Sequence, residues 1–411
     1  MQSEKFDLTN EGYFGGRWIP DANLQTLWAD LAPKLTLLGI TRVANVTGLD
    51  RIGVPVAMAV RPLSRSMTVA QGKGLTLAAA KISAVMEAAE SFHAERIQLP
   101  VRLGSPRELL RSSMVVDLSR LCRSRHTPLD VDEPVVWIQA ESIVTGAQVL
   151  VPIECVHTAF TPGMAHHLGR FFNSTAGLGA GANYPQAILQ GLYEVVERDA
   201  ALLSSLESSS QQDRRRLDVS SVVSPECCFL LSRLSAQGVR VGLWDLTQDT
   251  GIPVYRCVIV DEENEHGRRI CAAGGLGCDL FPAVALRKAM LEAIQTRLTV
   301  ITGSRDDLFR ERYSSGLEPA HLAAHRMLVA GNGECRMRMH PDDVSPHPHL
   351  QISTVIDRLK RVGLDEVLVV RLGLPDIGIP VARVIVPGLE IYDSLEDCLP
   401  GLRARSKLCA P

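Results

Sequence analysis

Three stretches of the chain combine a glycine turn, a proline and a run of alternating and β-branched apolar residues. They are IGVPVAMAVRP over 52–62, TGIPVYRCVIVD over 250–261 and IGIPVARVIVPG over 377–388. This pattern predicts a strand entered from a tight turn. Repeats so far apart do not build a solenoid. They favour a mixed α+β protein built from repeated strand units. Duplication is one origin of such units, and chance similarity between apolar strands is the alternative.

Three longer segments show the composition and length of buried helices. They cover about 75–96, 185–206 and 282–302, and the last two begin with a proline, which suits the first turn of a helix. No long linker or low-complexity tract divides the chain. We therefore expect a peripheral lead-in over 1–38, a single large domain with internal repeats over 39–400 and a tail over 401–411.

Charged and polar residues recur on these helices at spacings that place them on one face. They are Ser83, Glu87 and Glu90 on the first helix, Glu194, Glu197 and Arg198 on the second, and Glu292 and Gln295 on the third. A lone acidic pair on a helix usually belongs to a solvated face. Here the flanking sequences AVMEAAES and GLYEVVERDA are largely apolar, which predicts burial, and buried carboxylates need cations or strong donors. Several glutamates from different helices match the oxygen ligands that Mg²⁺ and a polyphosphate require.

A carboxylate-bridged di-iron site is a rival interpretation of the first helix. Glu90 and His93 form a Glu-x-x-His motif, one ingredient of such sites. The site needs a second motif of this kind, and the second helix has Ala200 where the histidine should stand. The spacing therefore favours the magnesium interpretation.

Two glycine-rich segments precede these helices. STAGLGAGAN, over 174–183, leads into the second helix, and QGKG, over 71–74, places Lys73 ahead of the first. Glycines before a helix can expose backbone N–H groups to an anion, or the run can be a turn packed closely against another strand. Neither a P-loop nor a dinucleotide-binding fingerprint is present. Lys73 is either a phosphate contact or a solvated lysine on a surface turn.

The end of the third helix carries further polar residues, in the segment TRLTVITGSRDD. Gln295, Arg297 and Arg305 stand in or beside it. Arginines near a phosphate site stabilise the charge that is transferred. Each of these residues, taken alone, also fits an ordinary surface position.

The composition is that of an ordinary globular protein and argues against several classes of function. The 411 residues are 46% hydrophobic and 22% charged with a formal net charge of −3, so no global charge favours nucleic acid or an anionic membrane. The ten cysteines form no CxxC pair, which indicates reduced thiols in a cytoplasmic protein. No run of about 18 apolar residues is present, and the N-terminus lacks the features of a signal peptide.

Together these motifs resemble the YcaO family of ATP-dependent enzymes that modify peptide backbones. The resemblance extends from about Gly39 to Glu390 and is most specific in QGKG with SAVMEAAES, in GLGAGANYPQAILQGLYEVVERDA and in EAIQTRLTVITGSRDD. The stretch GITRVANVTGLDRIGVPVAMAVRP is most similar to the branch that works with TfuA proteins. That branch is associated with thioamide formation.

The resemblance implies a fold, cofactors and partners. We expect the YcaO fold, with mixed sheets and long helices that carry a nucleotide site, and ATP and Mg²⁺ as cofactors. It implies that a sulfur nucleophile attacks a backbone amide of a ribosomally made peptide or protein, that ATP phosphorylates the resulting oxyanion and that loss of phosphate leaves a thioamide. A TfuA-like protein would supply or deliver the sulfur, and a homodimer is plausible.

The family motifs also imply residue roles in this sequence. Glu87, Glu90, Glu194 and Glu197 would bind magnesium or orient its ligands; Lys73, Ser83 and Arg198 would contact nucleotide or phosphate; and Gln295, Arg297 and Arg305 would lie near substrate or phosphate. Arg198 belongs to both the nucleotide-binding and the catalytic set.

Several positions depart from the family pattern. Gln186 stands where a further metal-binding glutamate is usual, and an amide oxygen can still bind magnesium, so we include Gln186 in the nucleotide site. Ala182 replaces a usual asparagine, Gly179 often replaces a small polar residue, and Ser91 follows the first motif in place of arginine. These departures leave a catalytically impaired scaffold as an alternative. Azoline or amidine formation is another, although the proline-rich C-terminus of azoline-forming members is missing.

Overall fold

The structure is a computed structural model that describes residues 11–14, 17–161, 169–262, 270–307, 310–338 and 344–409. The strands in chain order are β1 (Glu11–Phe14), β2 (Arg17–Pro20), β3 (Arg42–Asn45), β4 (Val56–Val60), β5 (Val69–Lys73), β6 (Val101–Gly104), β7 (Val135–Ser142), β8 (Gln148–Pro152), β9 (Leu178–Ala180), β10 (Val239–Asp245), β11 (Val254–Asp261), β12 (Ala273–Cys278), β13 (Leu368–Arg371) and β14 (Val381–Ile385).

The helices lie between groups of these strands along the chain. They are α1 (Asp21–Leu31), α2 (Leu77–Ala94), α3 (Pro106–Leu109), α4 (Tyr184–Ser205), α5 (Ser209–Arg214), α6 (Pro225–Ala236), α7 (Pro282–Thr302), α8 (Arg310–Gly316), α9 (Pro319–Val329), α10 (Pro348–Arg361) and α11 (Leu402–Leu408). Short 3₁₀ turns cover Ala32–Lys34, Thr47–Leu49, Leu118–Arg120, Ile153–Cys155 and Val219–Ser221. The three long helices predicted from the sequence are α2, α4 and α7, so that prediction is confirmed.

The chain divides into two compact units. The first comprises residues 1–88, 210–246 and 253–342. Its sheets have the strand orders β3-β4-β5 and β10-β11-β12, with β1 and β2 paired separately, and every pairing is antiparallel. Helix α7 contacts both three-stranded sheets, and α6 packs beside α7 and β10. The core of this unit forms around α7, where Leu286, Met290 and Ile294 are fully buried.

The second unit comprises residues 89–209, 247–252 and 343–411. Its antiparallel six-stranded sheet has the order β6-β7-β13-β14-β9, and β8 also pairs with β7. Helix α4 lies on β9 and β14, and α10 and α11 pack against α4. The division between the units falls within α2, between Ala88 and Ala89, and the predicted single domain over 39–400 stays a prediction.

The three repeated sequence phrases form the strands β4, β11 and β14, as predicted. Each lies inside its sheet and pairs on one side with a strand that is rich in glycine or alanine, namely β5, β12 or β9. The strand β5 precedes α2, β9 precedes α4 and β12 precedes α7. The chain therefore contains a strand pair plus a long helix three times, which supports the repeated-unit interpretation.

Glycines let the backbone of each of these strands approach its helix closely. A Cβ atom added at Gly72 would lie 2.0 Å from the backbone nitrogen of Ala84, and one at Gly179 would lie 2.1 Å from the carbonyl oxygen of Ala187. Gly275 is in the same situation beside Ala293, at 2.2 Å. Real Cβ contacts are never this short, so these positions exclude any larger residue unless the helix moves away from the strand.

We expect Gly72→Ala to destabilise the protein by about 3 kcal/mol or more, because the added methyl group meets rigid helix backbone on α2. The measurement is urea-induced unfolding. Gly48→Ala is the matched control in the same unit, since a Cβ atom at Gly48 meets nothing within 4 Å. Equal unfolding midpoints for the two variants would contradict the packing argument.

The cysteines form no disulfide, in agreement with the sequence-based expectation. All ten cysteines are free thiols, and burial raises the pKa of Cys227 and of Cys155 to about 12, so both are protonated at neutral pH. Within the described ranges, no helix combines the length and the apolar character that a bilayer crossing requires. Part of the predicted lead-in, residues 1–10 and 15–16, lies outside the described residues.

Candidate functional site

Helix α2 presents the first predicted polar face. Ser83, Glu87 and Glu90 are half-buried, while the residues between them, from Ala84 to Ala89, are otherwise buried. The same arrangement recurs on α4, where Glu194, Glu197 and Arg198 are half-buried among buried residues. The carboxylates therefore do not belong to a fully solvated face, as the apolar flanking sequence predicted.

The start of α4 is defined by a side-chain cap. The Asn183 side chain accepts a hydrogen bond from the Gln186 backbone N–H at 3.0 Å, and Pro185 occupies the first turn, as predicted. The side-chain oxygen of Gln186 in turn accepts the Ala182 N–H at 3.0 Å. Gln186 thus stabilises the helix start with the same oxygen that would bind a metal.

The glycine-rich segment before α4 directs its N–H groups to glutamates. The Gly177 N–H donates to Glu194 Oε2 at 3.1 Å, and the Ala180 N–H donates to Glu90 Oε1 at 2.7 Å. Gly177 also packs closely against Val384 of β14, and Gly179 packs against α4, so close packing and N–H donation occur together in this segment. The backbone orients two of the predicted metal-binding carboxylates.

Arg198 lies one helical turn after Glu194. Its guanidinium is 3.8 Å from Glu194 Oε1 and 3.7 Å from Asp393 Oδ1, and about a third of its side chain is exposed. Both distances exceed that of a hydrogen bond and the pair is half-buried, so the ion pair contributes little to stability.

Asp199, the residue after Arg198 on α4, has a structural role. It is buried and accepts hydrogen bonds from Arg403 of α11, at 3.0 and 2.9 Å, and from the Glu390 N–H. Burial raises the pKa of Asp199 to about 6, although Arg403 opposes that rise. Helix α11, within the predicted tail, is therefore bound to α4 through Arg403 and Asp199, and Asp199 directly follows Arg198.

In the first unit, Lys73 is paired with a glutamate and is not a solvated lysine. Its Nζ lies 2.7 Å from Glu292 Oε2, and Glu292 Oε1 accepts the Leu276 N–H at 3.4 Å. Gln295, one turn later on α7, donates to the Gln71 carbonyl oxygen at 3.1 Å. The structure thus brings the QGKG segment and the third helix together. The sequence showed that Glu292 and Gln295 share one face of α7. It did not show that Lys73 is the partner of Glu292, which makes Glu292 a further candidate for the site.

Arg297 is fully buried between two carboxylates. Its Nε donates to Asp50 Oδ2 and its Nη1 to Asp261 Oδ1, both at 2.9 Å, and Arg51 also binds Asp261. These contacts occupy both edges of the guanidinium. The role of Arg297 near substrate or phosphate stays a prediction, whereas its contribution to the core of the first unit is direct.

Arg305 lies near the first predicted metal-binding glutamate. It binds the Asp307 carboxylate through Nε at 2.8 Å, and the pKa of its guanidinium is raised by Asp307 first and by Glu87 and Asp306 in addition. Within the first unit, the structure therefore places an arginine within electrostatic reach of Glu87.

The donor set fits a hard divalent cation. Carboxylate oxygens are the ligands that Mg²⁺ prefers, and Glu90 and Glu194 each have one oxygen oriented by a backbone N–H group. Among the residues that the structure describes, no cluster of three or more histidine, cysteine, aspartate or glutamate side chains has metal-binding geometry. The match to magnesium is therefore one of ligand type, in the carboxylate oxygens of Glu90 and Glu194, and not of a preassembled cluster among the described residues.

Comparison with known proteins identifies the family to which the chain belongs. The family model described as YcaO cyclodehydratase, ATP- and Mg²⁺-binding, matches residues 71–390, and the chain belongs to this family. The predicted cofactors, ATP and Mg²⁺, are thereby confirmed as those of the family, which consists of ATP-dependent peptide-modifying enzymes.

Relatives and solved structures agree with that assignment. An uncharacterised protein encoded in the tfuA 3′ region of Rhizobium leguminosarum bv. trifolii is 34% identical over 390 residues, 92% of this chain and 90% of its own length. An uncharacterised protein of Methanothermobacter thermautotrophicus is 31% identical over 91% of this chain and 96% of its own length.

Among solved structures, YcaO from Methanopyrus kandleri, bound with AMPPCP and Mg²⁺, matches with a TM-score of 0.67 at 23% identity, over 92% of this chain and 94% of that one. A heterocyclase in complex with substrate and cofactor matches with a TM-score of 0.72 at 22% identity, over 88% of this chain. The chain spans 52% of that heterocyclase's length. The predicted YcaO fold is confirmed.

Proposed function

We propose that this protein activates a backbone amide of a ribosomally made peptide or protein by ATP-dependent O-phosphorylation and converts it to a thioamide, together with a TfuA-type partner. The observation that carries the nucleotide part is the pair of glutamates, Glu90 and Glu194, whose oxygens are oriented by backbone N–H groups at strand β9. The relative from the tfuA region supports the partner and the thioamide branch.

The family motifs and the charges of these residues support the following proposed roles. Glu87, Glu90, Glu194 and Glu197 bind magnesium or orient its ligands, and Arg198 and Lys73 neutralise phosphate charge, with Ser83 as a hydroxyl donor on the same helix face as Glu87. Arg305 balances the charge at Glu87. Positioning and charge neutralisation are the usual protein contributions to phosphoryl transfer.

The proposed reaction balances as follows. A hydrosulfide equivalent, supplied through the partner, attacks the amide carbon, and the carbonyl π electrons move to oxygen to give a tetrahedral oxyanion. Bound ATP supplies the phosphoryl group that converts this oxygen into a leaving group, with release of ADP. The C–O bond then breaks, phosphate departs, the S–H proton is lost to solvent and a C=S bond remains. Amide oxygen is otherwise a very poor leaving group.

The first test is a calorimetric titration of the purified protein with AMPPCP, with and without magnesium, because it requires no knowledge of the peptide. We expect binding that depends on magnesium. Absence of binding up to millimolar nucleotide, while the protein remains folded, would contradict an autonomous nucleotide site.

Two other activities have specific observations in their favour. The family description names cyclodehydratases, which supports azoline formation, or amidine formation by related chemistry, as the second candidate. Gln186, with its oxygen engaged at the start of α4, supports a scaffold that binds substrate without turnover. ATP turnover by the parent protein would exclude the scaffold, and the mass change of the modified peptide distinguishes oxygen-to-sulfur exchange from loss of water.

A further inference from the structure

The strand β6 (Val101–Gly104) forms an edge of the sheet in the second unit. Among the described residues it pairs on one side only, with β7. Its apolar side chains Val101 and Leu103 point to the same face and are 55% and 69% exposed. An edge of this kind is a template for a further strand, and proteins usually protect it with charges, bulges or a covering element. The open apolar edge of β6 therefore indicates a place where another polypeptide pairs.

Hydrogen bonds on the far side of the sheet fix which groups of β7 point toward β6. In an antiparallel ladder the N–H and C=O of one residue point to the same side, and the side alternates along the strand. Leu150 of β8 uses both groups on its outer side, where it donates to the Met114 carbonyl oxygen at 2.8 Å and accepts the Val116 N–H at 3.0 Å. Its partner Gln139 on β7 therefore directs its own groups away from β8. Trp137, two residues earlier, points its groups the same way, toward β6.

The strand register then identifies the outward groups of β6. Trp137 is the Cα partner of Arg102, so Arg102 forms the ladder bonds to β7. Val101 and Leu103, on either side of Arg102, direct their N–H and C=O groups away from the sheet. No described residue bonds to these donors and acceptors. The backbone groups of both residues are therefore available to an added strand, next to their exposed apolar side chains.

The surroundings of this edge are basic. The segment 97–114 contains three arginines and one glutamate. Arg102 is exposed on the face opposite Val101 and Leu103, and its guanidinium binds serine hydroxyls in place of a carboxylate, with Nη1 donating to Ser113 Oγ at 2.9 Å. Opposite charges on paired strands stabilise the pair. An added strand is therefore favoured if it carries a negative charge beside Arg102.

A second copy of the chain fits this edge poorly. A symmetric antiparallel pair of β6 strands that used the outward groups of Val101 and Leu103 would place Arg102 directly opposite its own copy. Like charges in that position destabilise a strand pair. A different polypeptide with an acidic residue opposite Arg102 removes the repulsion and replaces it by an attraction.

We propose that β6 binds an extended segment of the peptide or protein substrate as an added strand, and that this segment has an acidic residue between two apolar ones. Main-chain hydrogen bonds to Val101 and Leu103 supply affinity, and the side chains supply selection. Residues opposite each other on paired strands share a face, so the apolar residues meet Val101 and Leu103 while the acidic residue meets Arg102. The choice of the substrate as occupant rests on the proposed function, since an enzyme that modifies a backbone amide has to hold a polypeptide chain.

The test uses a fluorescein-labelled synthetic peptide, Gly-Ser-Thr-Val-Glu-Val-Thr-Ser-Gly, and a second peptide with lysine in place of glutamate. Binding is measured by fluorescence anisotropy and folding by thermal unfolding. Leu103→Pro removes an outward N–H and keeps the ladder bonds of Arg102, because proline is tolerated where its nitrogen faces away from the sheet. Arg102→Glu reverses the charge at the edge. Arg361→Glu, at an exposed position of α10, is the control for the change in net charge.

We expect the parent to bind the glutamate peptide about three- to fivefold more tightly than the lysine peptide, the ratio typical of one cross-strand charge pair. Arg102→Glu should reverse this preference, and Arg361→Glu should keep it. Leu103→Pro should weaken the binding of both peptides at least about tenfold, because an outward hydrogen bond and the pairing around it are lost.

Equal binding of the glutamate peptide by the parent and by Leu103→Pro would overturn the inference, as would an unchanged preference in Arg102→Glu. If Leu103→Pro does not fold, a glutamate peptide with both valines N-methylated is tested on the parent instead. Loss of its binding supports the added strand, and undiminished binding overturns it. A parent dimer, seen by light scattering, that dissociates in Leu103→Pro would show that a second copy occupies β6 and would overturn the choice of the substrate.

A parallel titration with AMPPCP and magnesium separates this inference from the function on which it rests. A parent that binds the nucleotide but neither peptide would overturn the inference alone. A parent that binds the glutamate peptide at β6 but not the nucleotide would support the binding surface and overturn the function from which its occupant is inferred. A parent that binds no probe would overturn both.

Discussion

Replacing Glu197 by alanine should abolish magnesium-dependent nucleotide binding, with a loss of affinity of more than about 100-fold. Glu197 is half-buried on α4, one turn after Glu194 and next to Arg198 in the sequence. A carboxylate that binds a hard cation contributes both a ligand oxygen and a full negative charge, and the loss of either weakens metal binding. The measurement is a calorimetric titration with AMPPCP at several magnesium concentrations.

Glu194 is left unchanged in this experiment because two of its contacts support the local structure. Glu194→Ala would also remove the acceptor of the Gly177 N–H and a contact of Arg198, so lost binding would mix with local rearrangement. Glu141→Ala is the control in the same unit, since it removes an exposed carboxylate that pairs only at the surface, with Arg371. Parent affinity in Glu197→Ala, together with an unchanged magnesium dependence, would remove Glu197 from the site.

The second large effect concerns stability. Asp50→Ala should destabilise the protein by about 3–5 kcal/mol, because it leaves the fully buried Arg297 with only part of its counter-charge. The side chain of Asp50 is only 3% exposed, so water cannot replace it without rearrangement of the core. The measurement is urea-induced unfolding, with hydrogen exchange in α7 as a local probe.

The double variant Asp50→Leu/Arg297→Met tests whether the loss of stability comes from leaving Arg297 unpaired. Replacing both members of a buried pair by apolar groups of similar size is often nearly neutral, whereas breaking the pair is costly. We therefore expect the double variant to be more stable than Asp50→Ala, even though Asp261 then loses Arg297 and keeps Arg51. A loss below about 1 kcal/mol in Asp50→Ala would show that Arg297 is well solvated or otherwise paired.

Much of the candidate site was predictable because its signals are local. Helical spacing placed Ser83, Glu87 and Glu90 on one face, and the apolar residues around Glu194 and Glu197 indicated burial; both expectations agree with the structure. The glycine segment left two interpretations open. Only the structure shows which elements pack against Gly177 and Gly179.

The partners of the charged groups could not be predicted, since they lie far apart in sequence. Lys73 meets Glu292 across 219 positions, and Arg297 meets Asp50 across 247. Local spacing contains no information about such pairs. The sequence places Lys73 at nucleotide or phosphate and Arg297 near substrate or phosphate, and only the structure shows that each has an acidic partner within its own unit.

The sequence by itself determined the family, the three long helices, the three repeated strands and the residue types that suit ATP and magnesium, because periodicity and short motifs are properties of neighbouring residues. Only the tertiary structure decided which carboxylates are oriented by backbone N–H groups, which arginines are already paired and which strand leaves its edge open. These properties depend on the packing of strands and helices distant in sequence, and burial sets the cost of each charge.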